Sequence, residues 1–112
     1  MDQRVDTAIA FMNANLNGKL TPAEIAEAVH LSQSRVRQLF KIETGTPLAR
    51  YLRDLRLKQA KELLETTFLS VKEVASHVGI TGISHFVREF KKTYRMTPAR
   101  YAARYRRTAA KP

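Results

Sequence analysis

The chain has 112 residues, 44% of them hydrophobic, and carries 20 Lys and Arg against 10 Asp and Glu, a formal charge of +10. That length holds one helical domain or two small lobes sharing a helix. The charge draws polyanions, nucleic acid before anionic membrane, while the lack of cysteine excludes disulfides, thiolate zinc sites and cysteine nucleophiles.

No apolar run approaches the ~20 residues that cross a bilayer. The first residues, MDQRVDTAIAFMNANL, carry acids and lack a signal-peptide core. The expected location is the cytoplasm.

Apolar residues recur with helical period almost throughout, so the expected class is all-α with seven helices. The first helix, about Asp2 to Asn15, places Val5, Ile9, Met12 and Leu16 on one stripe, and Asn17-Gly18 ends it. Thr21 is the expected N-cap of a short helix to about Val29, with Pro22 at its first position and Glu24 in a capping-box arrangement. Ser32 caps a helix from about Gln33 to Thr44, which Gly45 stops. Pro47 opens a long helix to about Thr66, with Leu48, Tyr51, Leu52, Leu55, Ala60, Leu63 and Leu64 as its apolar positions. Ser70 caps a short helix through His77, Thr81 caps another to about Tyr94, and Pro98 begins a last one through Arg106. The expected division is 1–46, a linker helix 47–66, a second lobe 67–107 and a frayed tail 108–112.

An internal repeat organises these helices. Leu20, Glu24, Ile25, Ala26, Val29 and Leu31 match Leu69, Glu73, Val74, Ala75, Val78 and Ile80 at an offset of 49. Val36, Phe40 and Lys41 match Phe86, Phe90 and Lys91 at an offset of 50, as does Ala49-Arg50-Tyr51 with Ala99-Arg100-Tyr101. One residue is therefore inserted around Gly82. Each copy has a short helix, a tight turn and a longer helix, which reads as helix-turn-helix. Ala26 and Ala75 are small enough for a close helix crossing.

Helical phase then identifies an outward face on each second helix. With Val36, Leu39 and Phe40 inward, Ser34, Gln38 and Lys41 point away and Arg37 flanks them. With Phe86 and Phe90 inward, Ser84, Arg88, Lys91 and Arg95 point outward, with His85 to one side and Val87 to the other. Arg can donate twice to a guanine edge, and Gln can pair with adenine. Ser32 and Thr81, as expected N-caps, lie where backbone N–H groups meet a phosphate. One such face alone reads as ordinary solvated surface. Two in equivalent frames read as DNA contacts.

The chain resembles AraC/XylS-type regulators over nearly its whole length, in their C-terminal DNA-binding domain. The resemblance rests on Leu20-Thr-Pro-Ala-Glu-Ile-Ala, Leu39-Phe40-Lys, Glu43-Thr-Gly45-Thr-Pro and Tyr51-Leu-Arg-Asp-Leu-Arg56-Leu-Lys-Gln-Ala60. It continues in Val74-Ala, Val78-Gly79, Phe86-Val-Arg88-Glu-Phe90-Lys91-Lys and Met96-Thr-Pro98-Ala-Arg-Tyr101. It implies two helix-turn-helix subdomains joined by a linker helix, with both recognition helices in successive major grooves of double-stranded DNA. Base-reading positions carried over are Ser34, Arg37 and Gln38, then Ile83, Ser84, His85, Val87 and Arg88. Phosphate contacts are expected at Ser32, Lys41, Thr81, Lys91 and Arg95. The linker, about 30 Å long at about 1.5 Å per residue, compares with one DNA turn of about 34 Å.

The chain also departs from the family pattern. Ile80 stands where an aromatic is common after the turn glycine. Gly82-Ile83 stands where polar residues are frequent, so the open readings are that Ile83 is half in the core, that it contacts a thymine methyl, or that the second unit reads sequence weakly. Arg95 replaces the usual glycine before Met-Thr-Pro, which implies strain if positive φ is needed there. Arg56 reads as structural, pairing with an acid or a backbone carbonyl, rather than as a DNA contact.

His30, His77 and His85 have no partners at metal-ligand spacing, and no nucleophile-base signature or phosphate-cradling glycine loop occurs, so neither metal, cofactor nor enzymatic activity is expected. The methyl-acceptor chemistry that some repair proteins carry beside this module needs a cysteine, which the chain lacks. The rival function is a protein-interaction module meeting an acidic partner or RNA polymerase. RNA polymerase is in any case an expected partner; a membrane is not, because every apolar stripe has an internal partner. Two wholes stay open, a short stand-alone regulator controlled by abundance and, favoured, the DNA-binding part of a longer one. This domain alone is expected to be monomeric, with dimerisation through a further domain as the option for a longer protein. Operator, effector and the sense of regulation are not readable from the residues.

Overall fold

The computed structural model describes residues 1–16 and 20–110, with side chains described through Arg106. The ending of the first helix at Asn17-Gly18 lies outside them. Among the described residues the chain forms seven α-helices and no strand: α1 (Gln3–Ala14), α2 (Pro22–Ala28), α3 (Gln33–Thr44), α4 (Leu48–Thr66), α5 (Val71–His77), α6 (Ile83–Tyr94) and α7 (Pro98–Ala110). The last helix continues past Arg106. Two compact units divide within α4, unit 1 being Met1–Leu55 and unit 2 Arg56–Pro112.

Unit 1 closes around α1 to α3 and the start of α4. Val5, Ala8 and Met12 of α1, Ile25 and Ala26 of α2, Val36 and Phe40 of α3 and Leu48 of α4 share one core. Ile9, expected on the inner stripe, is only partly buried, and Ala8 takes the deeper place. Unit 2 repeats the plan, with Leu57, Ala60 and Leu64 of α4 packed with Val74 and Ala75 of α5, Phe86 and Phe90 of α6, and Ala102. Phe40 meets Tyr51 edge-on with ring centroids 4.9 Å apart, and Phe90 meets Tyr101 in the same manner at 5.8 Å. The repeated aromatic pair ties α3 to α4 and α6 to α7. The Tyr101 hydroxyl also donates to Glu65 Oε2, and burial with that carboxylate raises the Tyr101 pKa.

Both turns use one backbone device. Leu31 N–H donates to the Ala26 carbonyl at 3.0 Å and His30 N–H to Glu27 at 3.2 Å. Ile80 N–H donates to Ala75 at 3.0 Å and Gly79 N–H to Ser76 at 3.1 Å. This is a Schellman closure, which needs a left-handed residue just past the helix. Gly79 (φ 79°) supplies it in unit 2 and His30 (φ 58°) in unit 1.

The caps differ more than the turns do. Thr21 Oγ1 accepts from Glu24 N–H at 3.2 Å, the first half of a capping box. The complete reciprocal box is at Ser70 and Glu73, with bonds of 3.1 and 2.9 Å. Ser32 caps α3 through Arg35 N–H. The expectation that Thr81 caps α6 is wrong: Gly82 holds that position, at φ 83°, with no side-chain cap bond. The inserted residue explains this, since it pushes Thr81 one place out and leaves Gly82 where Ser32 stands in the first copy. The backbone there takes a conformation that favours glycine.

Candidate nucleic-acid interface

In α3, Val36, Leu39 and Phe40 are buried, and the phase they set leaves Ser32, Ser34, Arg37, Gln38 and Lys41 exposed. The Ser32 hydroxyl accepts from Arg35 N–H at 3.1 Å, so its own proton stays available to a phosphate oxygen. In α6, Phe86 and Phe90 are fully buried and Ser84, His85, Arg88 and Lys91 are exposed. Val87 is half-buried and lies at the flank of this face. Ile83 is 47% exposed, so it belongs more to the surface than to the core. Thr81 is exposed but without the N-cap geometry on which its phosphate role rested.

Arg95 is exposed and sits at the end of α6 with φ 66°, its N–H donating to the Lys91 carbonyl at 2.7 Å. Gly45 does the same for α3 at φ 75° and 2.8 Å. A non-glycine residue thus holds a left-handed cap in unit 2, which matches the strain expected of it.

Arg35 was missed by sequence reasoning. It is exposed, and its Nη1 donates to Gln38 Oε1 at 3.0 Å, three residues along the same helix. Position 35 corresponds to His85 at the offset of 50, and there Arg88 Nη2 stands 3.4 Å from His85 Nδ1. The two helices α3 and α6 therefore each carry a hydrogen-bonded polar pair in the same frame. The offset alone, applied to His85, would have found Arg35.

Arg56, on α4, is partly buried. Its Nη1 donates to the Gly79 carbonyl, and burial lowers its pKa. Among the described residues no group of His, Cys, Asp and Glu is arranged to hold a metal ion, and no helix is long and apolar enough to cross a membrane.

Two units, each with a short helix, a Schellman turn and a longer helix with a polar outer face, define a double helix-turn-helix protein. The chain matches the helix-turn-helix domain family over residues 25–104 and belongs to it, in the AraC/XylS group. It is 34% identical over 104 residues to the arabinose operon regulatory protein of Escherichia coli K12, covering 92% of this chain and 36% of that one. It is 30% identical over 102 residues to the transcriptional activator RhaR of Mannheimia succiniciproducens, covering 91% and 37%. The chain thus spans little more than a third of these relatives. Among solved structures it resembles the DNA-binding domain of AdpA in complex with a target DNA, with a TM-score of 0.88, 26% identity and coverage of 97% and 98%. An AraC-type regulator from Chromobacterium violaceum gives a TM-score of 0.86 at 28% identity, with coverage of 98% and 95%.

Proposed function

We propose that this chain binds double-stranded DNA sequence-specifically and thereby regulates transcription, with α3 and α6 laid in successive major grooves. The observation that carries the reading is the pair of exposed, acid-free faces, Ser34-Arg37-Gln38-Lys41 and Ser84-Arg88-Lys91, set in the same frame by equivalent cores. Arg37, Gln38 and Arg88 have the donors and acceptors that base edges require, with Ser34, Ile83, Ser84, His85 and Val87 around them. Ser32, Lys41, Lys91 and Arg95 take phosphates, and the charge of +10 drives that sequence-independent part. Thr81 is kept only as an exposed hydroxyl beside the α6 start. The DNA complex of AdpA, similar across nearly the whole chain, supports the same use of the fold.

The chain acts as a binding module, not an enzyme. Its relatives are named as regulators, and the AdaA protein of Bacillus subtilis, 32% identical over 97 residues, is named as both activator and repair enzyme. RNA polymerase is the proposed second partner, the cytoplasm the proposed location, and a monomer the proposed state of this domain, with dimers formed through a further domain.

Titration of a labelled duplex at rising salt tests the reading. Binding is expected to weaken steeply with salt. Arg37→Ala combined with Arg88→Ala is expected to abolish the preference for a selected site over scrambled duplex. Unchanged affinity and salt slope in that double variant would reject groove reading in favour of a protein-interaction module.

A further inference from the structure

The bond from Arg35 Nη1 to Gln38 Oε1, 3.0 Å, fixes which way the Gln38 amide faces. The reversed amide would set Nε2–H against a guanidinium N–H, donor against donor, so only this orientation is favourable. An amide held in this way turns its oxygen toward Arg35 and its Nε2–H₂ group away. Adenine recognition needs both ends of the amide at one base, the oxygen accepting from N6–H and the nitrogen donating to N7. The oxygen keeps a second lone pair but is turned toward Arg35, so the groups left to face a base edge are donors, Nε2–H₂ and the remaining guanidinium N–H groups. Guanine offers two acceptors, N7 and O6, on its major-groove edge. Arg35 is exposed on the same helix and its cap bond is made by its backbone; its guanidinium serves this pairing within the field of the Asp2 carboxylate, whose pKa it helps to lower.

We propose that Arg35 is a specificity-determining residue of the first unit: it orients Gln38 so that the pair reads guanine in place of the adenine that a free glutamine accommodates. The inference rests on the proposed reading of DNA by α3. The two are separable by experiment.

Bound sites are selected from random duplexes with the wild-type chain, Gln38→Ala, Arg35→Ala and Arg35→Lys. Gln38→Ala marks the base pair read by position 38, as the one whose preference flattens. There the wild type is expected to select guanine. Arg35→Ala is expected to move the preference toward adenine, changing the affinity ratio of the two duplexes about tenfold. Arg35→Lys, which keeps a donor for Oε1, is expected to restore guanine. The second box is unaltered in all four, and it serves with helical circular dichroism as the control for folding. Adenine selected by the wild type, or one preference shared by wild type and Arg35→Ala, overturns the proposal while leaving DNA reading intact. No enriched site for the wild type overturns both.

Discussion

The Arg56 guanidinium donates to the backbone carbonyl of Gly79, the left-handed residue at the centre of the second turn. A carbonyl at a tight turn has few partners of its own, and a buried acceptor left unpaired is destabilising. Arg56 thus braces the turn that sets the angle between α5 and α6. Arg56→Met is expected to destabilise unit 2 by about 1–2 kcal/mol. Amide hydrogen exchange is expected to quicken in α5 and α6 and to stay unchanged in α1 to α3. Equal quickening in both units would contradict a local role.

Two side chains occupy positions where glycine is better suited. His30 (φ 58°) and Arg95 (φ 66°) hold left-handed caps that Gly79 and Gly45 hold elsewhere in the fold. His30→Gly and Arg95→Gly are each expected to stabilise by about 0.5–1 kcal/mol, read as a higher urea midpoint. Gly82→Ala is expected to act in the opposite direction by about 1 kcal/mol. A Cβ there meets only His85 Cβ at 3.8 Å, so the loss comes from the φ of 83° and not from crowding.

The α5 cap carries a pH dependence. The Ser70 backbone N–H, then its hydroxyl, hydrogen-bond Glu73 and hold its carboxyl below the ordinary 4.5. A depressed folded pKa stabilises above the unfolded value, and that stability is lost as pH falls through the folded value. Thermal midpoints of wild type and Glu73→Gln, measured from pH 6 down to pH 3, are therefore expected to differ most at pH 6. They converge below about 4.5. A constant difference across the range would remove the carboxylate from the account.

The repeat made most of this architecture legible from residues alone. Cores, turns and outward faces recur at fixed offsets because both units solve the same packing problem with the same residue types. What escaped was set by single local events. Leu57 is absent from the apolar positions expected of α4. It stands about 200° round the helix from Leu55, at about 100° per residue, and it packs in the core of unit 2 and not of unit 1. Thr81 looked like a cap by residue type, but the inserted residue gave the position to Gly82. The Arg35–Gln38 bond depends on rotamers, which periodicity does not encode. Ile83 was ambiguous by phase, and its 47% exposure follows from its place at the first position of α6.

The central claim is that α3 and α6 read two separate stretches of major groove. Guanine-methylation interference on a selected duplex tests it most directly, because the added methyl group lies in that groove. The account predicts two clusters of interference centred about 10 base pairs apart. Arg37→Ala is expected to weaken one cluster while leaving the other, and Arg88→Ala to do the reverse. A single cluster, or both variants weakening the same one, would contradict it.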